Sequence, residues 1–115
     1  MIVRIYTGPD GESHFEEIEP PYEQTPRGER VFLDGATGIE FARLQPGYFS
    51  DWHHAPRKQY VFGIAGQIEI GIGDGTVRAF GPGDVLLAQD LTGRGHTMRV
   101  VGDEPRIHAA VPQRD

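Results

Sequence analysis

Turn signals cut this chain into short pieces. Gly8-Pro9-Asp10-Gly11, Pro46-Gly47, Gly73-Asp74-Gly75 and Gly81-Pro82-Gly83-Asp84 each mark a reversal. Sixteen glycines and nine prolines are spread over 115 residues. That load disfavours long helices, because Gly costs roughly 1 kcal/mol and Pro roughly 3 kcal/mol in a helix interior. Between the turns lie runs rich in β-branched and aromatic residues, the side chains that suit a pleated surface. The strand pattern predicts pieces at 2–6, 13–18, 30–33, 38–44, 59–65, 67–72, 76–80, 85–88, 96–101 and 106–111, with 20–28 as a loop. Alternation is clearest at Gln67 to Ile72, where Ile68, Ile70 and Ile72 share one face. Short strands at regular spacing without a helical pattern predict an all-β sandwich or closed barrel. No linker divides the chain, so residues 1–115 are expected to form one domain.

Charge and composition narrow the partners. The formal net charge is -6, and no Lys/Arg-rich run is present. Nucleic acid and anionic membrane are therefore not the expected partners. The chain has no cysteine, which excludes disulfides, thiol nucleophiles and Fe–S clusters. No apolar run approaches the ~20 residues of a membrane-spanning helix, and the first residues lack the apolar core of a signal peptide. The expected location is the cytoplasm.

Chemistry concentrates in two stretches, residues 47–59 and Gly93-Arg94-Gly95-His96. The first holds Gly47, His53, Ala55, Gln59 and Gly66 at fixed offsets. With the turn Phe80-Gly81-Pro82-Gly83-Asp84 and the later His96, this resembles the cupins, small double-stranded β-helix (jelly-roll) barrels. Their first motif runs Gly, five residues, His, one residue, His, three residues, Glu, six residues, Gly, and every spacing is kept here. The resemblance covers about Phe41 to Val101. Asp51-Trp52-His53, Ala55 to Tyr60 and Thr92 to His96 look like a subgroup of small single-domain bacterial cupins without assigned function. A full cupin site implies three His and one carboxylate on a metal. Here His53 and His96 stand at two of those positions, while Ala55 and Gln59 replace the second His and the Glu.

The resemblance implies His53, His96 and Gln59 as the ligands of one divalent metal (Fe, Mn, Zn or Ni). His53 and His96 are also the candidate catalytic residues. Period two puts His53, Ala55 and Asp51 on one face and His54 on the other. Asp51, or Asp90 in the loop before His96, is a candidate source of negative charge. Gln59 has both donors and an acceptor for a substrate carbonyl or carboxylate, or for orienting His53. Arg57, with Lys58 and Arg94, is placed to attract an anionic molecule at the rim. Trp52 is expected at the mouth or in a subunit contact, Tyr60 in packing, and Met98 in the cavity wall two residues beyond His96. His14 reads as a surface residue; His108 has an inward-pointing reading on the last strand, with packing the stronger one.

Three functional expectations share this barrel. The first is a metal-dependent enzyme (oxygenase, isomerase or lyase type) on a small anionic or carbonyl-bearing molecule. The second is a metal-free enzyme with His53 or His96 as general base. The third is a non-catalytic small-molecule-binding barrel. A homodimer is expected as well, with the strand at 2–6 covering a sheet edge of the partner.

Overall fold

The computed structural model describes residues 2–114. Twelve strands follow one another: β1 Ile2–Thr7, β2 Ser13–Ile18, β3 Glu23–Thr25, β4 Gly28–Arg30, β5 Glu40–Leu44, β6 Phe49–His53, β7 Gln59–Ala65, β8 Gln67–Gly71, β9 Val77–Phe80, β10 Val85–Gln89, β11 His96–Val101 and β12 Arg106–Pro112. The larger sheet has the order β2-β1-β10-β7-β12-β5, and the smaller one β6-β11-β8-β9. Neighbours in each sheet are antiparallel except β1 and β10, which run parallel from Ile2 opposite Val85 to Tyr6 opposite Gln89. No helix among the described residues is long and apolar enough to cross a membrane.

The two sheets share one core. Val3, Ile5, Val61, Leu86, Ala88 and Ala110 come from the larger sheet; Ile68, Ile70, Phe80 and Val100 come from the smaller. This is the jelly-roll layering, with inner faces packed and outer faces turned to solvent. The alternation read at Gln67 to Ile72 is realised, and Ile68, Ile70 and Ile72 are all buried. Gly66 makes the sharp turn from β7 to β8 at φ 73°, where a Cβ would also run into the Pro105–Arg106 backbone.

Three strand expectations are corrected. Residues 23–30, inside the expected loop, form the small β3–β4 hairpin, paired Glu23 to Arg30. Its side chains are polar and mostly exposed, so apolar periodicity gives no sign of it. Residues 31–33 are not a strand, although Val31, Phe32 and Leu33 have the propensity. No neighbouring strand takes up their backbone, and pairing rather than propensity decides a strand. Finally, β1 is paired on both sides within its own chain, between β2 and β10, so it is not a free arm for covering another edge.

Candidate functional site

A cavity of about 360 Å³ opens between the sheets. The smaller sheet contributes His53, His96 and Met98, with Ile68 and Ile70 at the floor. The larger sheet contributes Gln59, Val61, Leu86, Ala88, His108 and, on β5, Glu40, Ala42 and Leu44. Pairing explains the first group: β6 and β11 are adjacent and antiparallel, with His53 opposite His96. Their ring centroids are 4.6 Å apart at 59°. The two histidines that head the two motifs therefore stand side by side on one wall.

Each imidazole has its tautomer set by its partner. His96 Nδ1–H donates to Asp90 Oδ2 at 2.6 Å, and Ser13 Oγ–H donates to the same oxygen at 2.7 Å. Asp90 is fully buried, and its Oδ1 has no partner among the described residues. Burying a carboxylate so incompletely satisfied costs stability, and what it secures is the orientation of His96. His53 Nδ1–H donates to the Asp51 carbonyl at 2.6 Å, with Ser50 Oγ 3.2 Å from the same nitrogen. A carbonyl only accepts, so the proton sits on Nδ1. With Nδ1 carrying the proton, the neutral form of each ring has its lone pair on Nε2.

The larger sheet supplies a different chemistry. Arg106, 1 % exposed, donates from Nη1 to the carbonyls of Phe80 at 3.1 Å and Gly66 at 3.4 Å. Its Nε–H donates to His108 Nδ1 at 3.3 Å. Burial and the Arg106 charge push His108 below the ordinary imidazole value, and Glu40 partly opposes them. In the unfolded chain His108 titrates at its ordinary value of about 6.5. The stability it contributes is thus present above that pH and lost as pH falls through the lower folded value. Thermal midpoints measured from pH 7.5 to 5 are expected to fall more steeply for wild type than for His108→Phe; parallel curves would contradict the assignment.

The expected site residues separate into two groups. His53, His96, Gln59 and Met98 line the cavity, and Ala55 lines it beside His53. Asp51 does not: its carboxylate is exposed and accepts from the Trp52 amide. Arg57 lies at the surface, donating to Gln59 Oε1 at 2.9 Å and to Glu40 Oε1 at 3.1 Å. Trp52 faces outward beneath the Arg94 guanidinium, 4.1 Å from the ring centroid. Tyr60 is on the outer face of the larger sheet, in an apolar groove with Tyr22, Leu33 and Phe62. His54 is exposed, as period two requires, and His14 is a half-buried partner of Asp10. Glu40 joins the site without having been expected there, although the alternation of Glu40, Ala42 and Leu44 marks one face of β5. His108, expected in packing, is part of the cavity wall.

The donor set does not fit the cupin metal centre. No group of three His, Cys, Asp or Glu side chains among the described residues is arranged to hold an ion. Gln59 Oε1 is already an acceptor for Arg57, which leaves its NH2 as the free end. Glu40, the carboxylate lining the cavity, is paired with Arg57, and His53 and His96 alone make a poor site for a hard divalent ion.

No protein-family model matches the chain, and no curated protein matches it. Solved structures do. A sugar phosphate isomerase of the cupin superfamily from Silicibacter pomeroyi superposes with a TM-score of 0.54 at 21% identity, over 92% of this chain and 61% of that one. The chain thus spans about three-fifths of that protein's length. A Cupin 2 conserved barrel domain protein from Salinispora arenicola gives 0.53 at 20% identity, over 86% and 89%. A conserved protein of unknown function from Streptococcus pyogenes gives 0.52 at 20% identity, over 74% and 70%. The chain has the cupin fold.

Proposed function

We propose that this chain is a small-molecule cupin enzyme of isomerase type, with His96 as a metal-free general base on an α-hydroxy carbonyl compound. The observation that carries the reading is the buried Asp90–His96 hydrogen bond, which leaves an imidazole lone pair in an apolar-floored cavity. A cavity of about 360 Å³ suits a molecule of a few carbons.

His96 Nε2 takes the proton from the carbon α to the carbonyl. The C–H electron pair becomes the C=C bond of an enediolate, and the charge moves to the carbonyl oxygen. The imidazolium returns the proton to the former carbonyl carbon, while the neighbouring hydroxyl loses its own proton and becomes the new carbonyl. His53 Nε2 accepts that hydroxyl proton and passes it to the oxyanion, so atoms and charge balance. Asp90 holds the ring in place and faces the charge it acquires. Because His53 and His96 stand on one wall, protons leave and return on one face. That geometry favours isomerisation over epimerisation, which needs groups on opposite faces of one carbon. Gln59 offers its free NH2 to a substrate oxygen.

The test is deuterium uptake in D2O from a panel of small α-hydroxy aldehydes and ketones, with and without a phosphate group. Wild type is expected to exchange the α-proton of at least one compound after chelation and dialysis. His96→Ala is expected to lower the rate about 10²-fold or more, the contribution of a placed base. Elemental analysis of untagged protein is expected to give well under one divalent metal per chain. One ion per chain, lost in His53→Ala together with activity, would replace this reading with the metal-dependent one. A ligand retained without turnover would replace it with a binding barrel.

A further inference from the structure

An enediolate needs a proton donor aimed at its oxygen, and the wall of His53 and His96 presents acceptors. The opposite wall carries His108 on β12. Its Nδ1 faces the Nε–H of Arg106. A guanidinium has donors and no acceptor, so this Nδ1 must be the lone-pair nitrogen. The proton of the neutral ring is then on Nε2. No hydrogen-bond partner holds Nε2 among the described residues, and this nitrogen is not among the buried, unpartnered side-chain atoms. Arg106 cannot turn away, because its Nη1 is anchored on the carbonyls of Phe80 and Gly66.

We propose that His108 is the cavity's hydrogen-bond donor, a neutral imidazole whose Nε2–H binds the carbonyl or enediolate oxygen of the ligand. Its role in turnover rests on the isomerase reading; its role in binding does not. The arrangement divides the cavity by polarity, with lone pairs on the smaller sheet and an N–H on the larger. A ligand with an acceptor oxygen on one side and a hydroxyl or acidic C–H on the other is selected over one with two acceptors or two donors. The charged groups acting on the ring are Arg106 on its own strand and Glu40 on β5, while β7 presents Gly63 opposite it; His53 and His96 face it across the cavity. Burial and Arg106 oppose a second proton on the ring, so His108 stays a neutral donor where an exposed imidazole would be charged.

Long-range 1H–15N spectra of histidine-labelled protein at pH 6.5 test the tautomer directly. His108 is expected as the neutral Nε2–H form; an Nδ1–H form or an imidazolium would overturn the proposal. Glycolohydroxamate, a planar mimic of a small enediolate, tests the binding. Its addition is expected to move the His108 Nε2–H resonance, and His108→Phe to weaken it about tenfold, with His108→Gln, which keeps an N–H, closer to wild type. Absence of binding, an unmoved His108 signal, or an unchanged affinity in His108→Phe would each overturn it. If wild type exchanges no α-proton yet His108 answers to the hydroxamate, the isomerase reading falls and the donor assignment stands. If exchange persists unchanged in His108→Phe, the donor assignment falls and the isomerase reading stands.

Discussion

Gly95→Ala is expected to lower stability by about 2–5 kcal/mol and to separate the two cavity histidines. Gly95 sits at φ 80°, a conformation that costs an L-residue about 1–2 kcal/mol. The larger effect is steric. A Cβ at this position would overlap the His53 carbonyl and the following amide of His54, which are backbone and cannot swing aside. Relieving that overlap means pushing β6 away from β11, and such overpacking costs about 1–3 kcal/mol or more. For a domain of this size the sum corresponds to a fall in Tm of roughly 8–20 °C. Gly102→Ala is the control: its φ is 82°, but open space surrounds its Cβ. It should cost only the conformational part. Equal losses in the two variants would show that the contact between the motifs carries no weight.

Arg106→Leu is expected to destabilise by about 2–4 kcal/mol. Removing a buried guanidinium recovers its desolvation cost, which argues for a small effect. Against this stand two carbonyls and one imidazole left without donors, at about 1–3 kcal/mol each. The unpartnered acceptors outnumber the charge removed, so the loss wins. The same variant frees His108 Nδ1 to take a proton, and its 15N signals should then show the Nδ1–H form. Arg106→Lys keeps the charge but not the fork that reaches three acceptors, and it should recover only part of the loss. A stability at or above wild type in Arg106→Leu would mean that desolvation dominates and the network does not hold β12 in place.

Much of this molecule is legible in residue pattern. Ile68, Ile70 and Ile72 mark β8 and its buried face by alternation alone. The spacing from Gly47 to Gly66 carries the jelly-roll, because each offset there is a turn or a wall position. Both walls of the cavity are harder to read. Asp90 is visible only as one of two acidic candidates. Period two favours Asp51 from its place on the strand, yet that carboxylate turns back to the Trp52 amide. His108 has an inward reading on its strand, but its role comes from a buried Arg106 and from β5 and β7, which lie far away in sequence. The β3–β4 hairpin is silent for the opposite reason, being polar on both faces. Local pattern reads a strand and its face; it does not read which distant strand will supply the partner.

The parallel pairing of β1 with β10 carries a consequence for synthesis. Ile2 finds its neighbour at Val85, and Ser13 finds its carboxylate at Asp90, 77 positions later. On a ribosome adding about 5–20 residues per second, the first strand exists for several seconds before its seat does. Its hairpin with β2 can form at once, but a two-stranded ribbon alone is marginal in water. The β1–β2 hairpin therefore waits for β10, and when it docks Ser13 reaches Asp90 to complete the support behind His96. Long-range closure of this kind slows folding. In this chain the imidazole of His96 gains its full orientation only when Ser13 meets a carboxylate made 77 positions after it.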